Sequence, residues 1–290
     1  MELDAIKKSP VPLTQAQAID LIDESKSHII SFGLPTYKNS SHLRSSLDAP
    51  ALLAATVHRD EANPFTELGV DFGATNAFEY LGDLALETED DFEIIRTVSK
   101  TVFLSGKSPI FIGGDHSVTF PIIAGLHDAI GPVTLLHFDA HPDLYDNLQD
   151  NPLSHASPFA RIMELGLARE LWQYGIRTLN SHQAVQVQRF GVHCNEMRNY
   201  KKWPMPAIEG PVYITIDLDA LDPAFAPGVS HYEPGGMSVR DILDIVHSLS
   251  VPIVGADIVE LNPSRDRQSM TAIAGGKFLR EVGGMMLMQR

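Results

Sequence analysis

The chain has 290 residues and sets 22 Lys and Arg against 37 Asp and Glu, a formal charge of −15, with 44% hydrophobic residues. Such a chain can bury most of its apolar surface without covalent staples, and its single cysteine, Cys194, excludes an intrachain disulfide framework and any Cys-rich zinc module. Acidity and the absence of any Lys/Arg run beyond a pair such as Lys201-Lys202 argue against nucleic acid and anionic membranes as partners. The first ten residues lack the apolar core of a signal peptide, and no run approaches the roughly 18 apolar residues of a spanning helix. The cytoplasm is the expected compartment.

In chain order, apolar spacing predicts a helix over 14–24, a strand over 28–33, a helix over 90–105 and a strand over 109–112. A helix over 117–130 precedes a strand over 133–138, and a helix over 158–166 precedes a strand over 171–176. Strands over 212–217 and 253–258 flank a helix over 239–249, and a helix over 270–288 completes the series. Pro158 suits a first helical turn, and Ser238 with Asp241 has the form of a cap with an acidic first turn. The segment 37–47, rich in Asn and Ser, is the most loop-like and is placed to lie over a pocket. Without repeats, low-complexity tracts or long linkers, residues 1–290 are expected to form one domain. Its class is α/β, three-layer α/β/α with a mainly parallel, doubly wound sheet of six strands. Ligands of such sheets bind beyond the carboxyl ends of the strands.

Three of those ends carry unusual residues: Gly113-Gly114-Asp115-His116-Ser117, Asp139-Ala140-His141-Pro142-Asp143, and Asp217-Leu218-Asp219-Ala220-Leu221-Asp222-Pro223. Asp139, His141 and Asp143 are spaced by two, so an extended backbone projects them to one side, as it does Asp217 and Asp219. Four carboxylates in one cleft repel one another unless a cation compensates. Four Asp and two His exceed the needs of one tetrahedral zinc, and no thiolate contributes. Such donors suit manganese, with nickel, cobalt or iron as alternatives, and two ions sharing carboxylates. An Asp before a helix, such as Asp115, is ordinarily a cap, and a lone His beside glycines is ordinarily a hydrogen-bonded core residue. Specificity therefore rests on Asp-Ala-His-Pro-Asp together with the other two strand ends.

These segments, with Ser154-His155-Ala156-Ser157 and Asp257-Ile258-Val259-Glu260, resemble the arginase/agmatinase ureohydrolase family in family order over roughly residues 109 to 280. Val229-Ser230-His231-Tyr232-Glu233-Pro234-Gly235-Gly236 and Ser154 to Arg161 resemble its plant-type branch, whereas the N-terminal third matches only around Gly33-Leu34-Pro35 and Ala49-Pro50. The resemblance implies an arginase-like fold and two Mn2+ per chain, with Ni2+ or Co2+ as substitutes. One ion would be held by His116, Asp139, Asp143 and Asp217, the other by Asp139, His141, Asp217 and Asp219. A water activated between two cations suits attack on a guanidinium carbon. The resemblance further implies Asp143, His155 and Glu260 as catalytic groups, with substrate contacts from Asn151, Ser154, His155, His231 and Glu260. It also implies a homo-trimer or homo-hexamer.

Two departures bear on the substrate. Tyr145 stands where the animal pattern has an Asn that helps read the amino-acid carboxylate, and His231 where many members carry a Thr. The expected substrate is a small cationic guanidino compound, foremost L-arginine, then agmatine or 4-guanidinobutyrate. Two readings compete: a single-zinc deacetylase on the same sheet, and a non-catalytic, metal-stabilised partner subunit.

Overall fold

The computed structural model describes residues 11–58 and 63–290. The first ten residues, expected to carry no export signal, and residues 59–62 lie outside that description. Eight strands form one sheet: β1 (Ile29–Leu34), β2 (Phe78–Asp83), β3 (Ser108–Gly113), β4 (Val133–Phe138), β5 (Ala168–Ile176), β6 (His193–Glu196), β7 (Val212–Asp217) and β8 (Ile253–Val259). Their spatial order is β2-β1-β3-β8-β7-β4-β5-β6, and every neighbouring pair is parallel.

The helices are α1 (Gln15–Glu24), α2 (Ala49–Ala55), α3 (Asp91–Leu104), α4 (Thr119–Ile130), α5 (Pro158–Glu164), α6 (Ser181–Phe190), α7 (Val239–His247) and α8 (Met270–Met288). The twofold period of the strands sorts their side chains between two cores. Ile110, Ile112, Leu136, Phe138, Ile214 and Ile216 pack with α2, α7 and α8, whereas Phe111, Val133, Leu135 and Tyr213 pack with α1, α3, α4 and α5. Strands buried on both faces read as continuous apolar runs, which is why the sequence shows them.

The sequence reading anticipates six strands; the two it lacks, β2 and β6, are the two edges of the sheet. An edge strand has one covered side, and Phe-Glu-Tyr-Leu-Gly-Asp and His-Cys-Asn-Glu carry too little apolar signal to stand out. The helix α6 is too polar to show in the sequence, and α2, though apolar, is at seven residues too short to show a helical period. Predicted local signals do hold: Pro158 opens α5, and Ser238 and Asp241 form a reciprocal capping box on α7.

The topology fixes where a site must lie. From β3 the chain jumps to β4, leaving room for two strands, and β7 and β8 later return to fill it. The switch in winding direction therefore falls among β3, β8, β7 and β4, whose carboxyl ends form one contiguous rim.

Where α3 crosses α4, a Cβ on Gly125 would stand 2.4 Å from the Arg96 carbonyl oxygen and 2.9 Å from the Lys100 nitrogen. Gly125→Ala is expected to destabilise the fold by ~1–3 kcal/mol through overpacking, read as a lowered urea midpoint with an unchanged slope.

Candidate metal centre and active site

Each strand of that rim delivers part of one cluster. After β3, the chain runs so close to the loop that follows β1 that a Cβ on Gly114 would lie 2.0 Å from the Thr36 carbonyl oxygen. Asp115 caps the following turn, accepting from the Ser117 amide at 3.1 Å, and also accepts the Asn39 amide at 3.1 Å. It is thus the cap that its position suggests, and His116 is freed to point into the cleft. After β4 come Asp139, His141 and Asp143; β7 ends on Asp217, with Asp219 in the next turn; Glu260 follows β8.

Asp143 is not presented by extended backbone as its spacing suggests: its φ is +50°, and that of Glu260 is +67°. Non-glycine residues in this left-handed region cost roughly 1–3 kcal/mol each and persist only where the surroundings over-determine them. Gln173 donates to the Pro142 carbonyl at 2.7 Å, Gln183 accepts from the Leu144 amide at 3.1 Å, and the Glu260 amide donates to the Gly114 carbonyl at 2.9 Å. These bonds hold both turns.

Two donor sets result. His116 Nδ1 faces Asp139 Oδ2 at 3.1 Å, Asp143 Oδ2 at 3.2 Å and Asp217 Oδ2 at 3.3 Å. His141 Nδ1 faces Asp139 Oδ1 at 3.3 Å and Asp219 Oδ2 at 3.1 Å. Asp139 therefore turns one oxygen to each set. Metal bonds of about 2.0–2.2 Å place neighbouring ligand atoms about 3.0–3.4 Å apart, and the observed separations match that spacing. Asp217 Oδ1 accepts the Asp219 amide at 2.8 Å, which leaves Oδ2 as the oxygen free to ligate.

The tautomer of His116 completes the fit to a cation. Its Nε2–H donates to Thr215 Oγ1 at 3.0 Å, because the Thr215 hydroxyl is itself donated to Asp257 Oδ1 at 2.6 Å. Thr119 and Tyr213 hydroxyls donate to Asp257 Oδ2. Nδ1 is buried, makes no hydrogen bond and is aimed at three carboxylates. Burial opposes a charge there, yet Asp139, Asp143 and Asp217 together raise the pKa of His116 well above its ordinary value, so the position calls for positive charge, a proton or, in its place, a metal ion.

The carboxylates show the same conflict. Burial, then the charges of Asp219 and Asp139, pushes Asp217 well above the usual carboxylate range. Burial and Asp139 raise Asp143 to about 6. Burial opposes ionisation of Asp139 too, but His116, His137 and His141 around it hold it well below its ordinary value.

His137 is a functional residue the sequence reading did not single out. Gln173 Nε2 donates to its Nδ1 at 3.0 Å, so its Nε2–H donates to Asp139 Oδ2 at 2.8 Å. Burial lowers its pKa to about 4 and keeps it neutral. The ring approaches His116 and Asp139 closely enough to resemble a ligand, yet both nitrogens are engaged, and it orients Asp139 instead. The signal was present: His137 lies two residues before Asp139 on the same strand face, and its sheet neighbours are Gln173 and Thr215.

The cluster floors a cavity of about 270 Å³, lined by Asp143, Asp217, Asp219, Glu233 and Glu260 and by no Lys or Arg. On its wall, His155 Nδ1 donates to Glu260 Oε1 at 3.1 Å, and its Nε2 lies 2.9 Å from Ser41 Oγ. Burial opposes the charge on His155, but Glu260 raises its pKa to about 9. Glu260 Oε1 also accepts the His116 amide at 3.0 Å, while Arg265, five residues on, lies over the Tyr232 ring. His231 lines the cavity with its ring 5.3 Å from that of His155 and 5.2 Å from that of His42. The 37–47 loop does lie against the pocket, through Ser41 and through the Asn39 carbonyl, which accepts the His155 amide. Asn151 and Ser154 do not line the cavity. Asn151 ties to Asn39 and to the Leu153 amide, and Ser154 to the Ala156 amide.

A sequence model of the arginase family matches residues 27–284. The chain belongs to this family of metal-dependent ureohydrolases, and the match takes in the N-terminal third, where the motifs had shown little. Among individual relatives, it is 40% identical over 287 residues to arginase 1, mitochondrial, of Arabidopsis thaliana, covering 92% of this chain and 84% of that one. It is 31% identical over 267 residues to an agmatinase of Halalkalibacterium halodurans, covering 89% and 91%. Its structure superposes on arginase from Medicago truncatula with a TM-score of 0.85 at 36% identity, covering 94% of this chain and 92% of that one. Among the described residues, no helix is long and apolar enough to cross a membrane.

Thr215→Val keeps the shape of the residue behind His116 but removes the acceptor for its Nε2–H. Metal affinity, measured by competition with a chromogenic chelator, is expected to fall roughly 10–100-fold with little change in far-ultraviolet circular dichroism.

Proposed function

We propose that the protein is a dinuclear manganese hydrolase that cleaves L-arginine to L-ornithine and urea. The observation that carries this reading is the pair of donor sets joined through Asp139, with ligand separations of 3.1–3.3 Å at the floor of an acidic cavity. His116, Asp139, Asp143 and Asp217 would hold one ion, and Asp139, His141, Asp217 and Asp219 the other. Bound there, the metal pair lowers the pKa of water so that attack is feasible at neutral pH.

The chain's own residues supply the rest. Glu260 has Oε1 occupied by His116 and His155, so Oε2 is available to accept N–H groups of the guanidinium in charge-assisted bonds. Water adds to the guanidinium carbon, the bond to the substrate's side-chain nitrogen breaks, and Asp143 hands the water's proton to that nitrogen as it leaves as an amine. His155, between Glu260 inside and Ser41 at the mouth, exchanges protons with solvent and restores the site.

Arginine is favoured over agmatine by the greater likeness to plant arginases than to agmatinases. One observation favours agmatine: no Lys or Arg lines the cavity to take an α-carboxylate, which is left to neutral donors such as Tyr145, Thr178 and Gln183. A non-catalytic partner role loses its motive because all six ligand side chains converge. We assign the enzyme to the cytoplasm, for which a half-buried, unpaired Cys194 is suited, while the Arabidopsis relative is by name mitochondrial. A homo-trimer or homo-hexamer is the expected assembly, and sedimentation equilibrium decides it.

With Mn2+ supplied, urea release is expected to be faster from L-arginine than from agmatine or 4-guanidinobutyrate; no urea from any guanidine at full metal occupancy would sink the reading. Chelation is expected to abolish turnover and lower Tm, both recovering on return of Mn2+. His141→Ala should lose more turnover than the roughly 10–100-fold typical of a residue behind a ligand and still unfold cooperatively, whereas a merely structural metal would take the fold with it.

A further inference from the structure

Of the five carboxylates lining the cavity, four have partners. Asp143 and Asp217 face His116, Asp219 faces His141, and Glu260 holds the His116 amide and His155. The fifth, Glu233, is half-buried, and among the described residues its carboxylate makes no hydrogen bond or ion pair.

The position of Glu233 is nonetheless tightly set. Its carbonyl accepts from Arg177 Nε at 2.7 Å. The same guanidinium donates through Nη1 to the Gly175 and Ala220 carbonyls at 3.0 and 3.2 Å, and through Nη2 to the Asp219 and Leu221 carbonyls at 2.7 and 3.3 Å. All five N–H groups of Arg177 are thereby satisfied by backbone, so it has none to offer the Glu233 carboxylate. Arg177 acts as a strut one guanidinium wide between the Glu233 loop and the turn that carries Asp219. On the other side, Asp222 Oδ2 accepts the Gly235 and Gly236 amides at 2.7 and 3.1 Å. The chain fixes Glu233 at a set spacing from the cluster; the Arg177 charge acts on it from a distance, but no donor of the described residues reaches its carboxylate.

A carboxylate at the wall of a cavity with no protein donor on it is an open acceptor for a cationic ligand group. The guanidinium end of the substrate is already provided for by Glu260 and the ligand cluster. Resting on the ureohydrolase reading, we propose that Glu233 receives an ammonium group at the opposite end of the substrate. The cavity then selects guanidines with a cationic tail, as in arginine and agmatine, over those whose tail is neutral or carries only a carboxylate.

The test compares the Mn2+-loaded wild type with Glu233→Gln, which keeps the shape and removes the charge. Urea release gives kcat/KM for L-arginine and agmatine, and butylguanidine, whose tail is neutral, is measured as a competitive inhibitor. Loss of a hydrogen bond to a charged group predicts a fall in kcat/KM of roughly tenfold to a hundredfold for both cationic-tail substrates. The Ki of butylguanidine should stay unchanged, and 4-guanidinobutyrate should become a better ligand relative to arginine. Unchanged kcat/KM in the variant, or an equal weakening of butylguanidine, would overturn the role of Glu233 while leaving the ureohydrolase reading intact. Absence of urea from the wild type with every guanidine would overturn both.

Discussion

The structure turns on a repulsion that protein alone does not relieve. Asp139, Asp143, Asp217 and Asp219 are almost wholly buried at the ends of adjacent strands, where water cannot screen them and each raises the cost of ionising its neighbours. An isolated buried charge is tolerated only when paired, and two histidines are too few partners for four acids. Bound cations would resolve the conflict, and other features of the rim are arranged to hold them. Thr215 and Asp257 fix which nitrogen of His116 is free, His137 turns Asp139, and the left-handed turns at Asp143 and Glu260 aim side chains that ordinary backbone would misdirect.

What could be read from the sequence follows from how far each interaction reaches along the chain. Central strands announce themselves because both faces are buried; the edge strands β2 and β6 do not, since one side of each is open. The six ligand candidates are legible because metal donors cluster at short spacings after apolar runs. The residues that set those ligands are not, because Gln173, His137, Thr215 and Asp257 become neighbours only through the register of four strands. Arg177 is hidden for a related reason: its partners are backbone carbonyls from three stretches of chain, and no side-chain pattern records them. Asn151 and Ser154, expected at the substrate, hydrogen-bond within the loops beside the cavity and do not line it, which spacing does not reveal.

The net charge also takes on a local meaning. A value of −15 fits solubility alone, but its distribution within the cavity is one-sided, with acids and no Lys or Arg. A cleft lined by one sign of charge raises the local concentration of the opposite ion and speeds its arrival. The same field disfavours an anionic product or a substrate lacking a positive group, so selection begins before contact.

Gln173, His137, Thr215 and Asp257 form a row that crosses β5, β4, β7 and β8 at matched positions, on the face that elsewhere carries Leu171, Val133, Leu135 and Tyr213. Parallel strands of Val, Ile and Leu are nearly interchangeable under a slide along their neighbours, which leaves the pairing of a hydrophobic sheet weakly determined. Sliding β4 by one residue against β7 would press His137 into the opposite, apolar layer and strand Thr215 beside Leu136. Each misalignment would bury polar groups without partners, a penalty of about 1–3 kcal/mol apiece. The polar row therefore serves the folding chain as well as the finished site: it is a vernier that rejects neighbouring registers, and the correct strand alignment is the one in which the ligands meet.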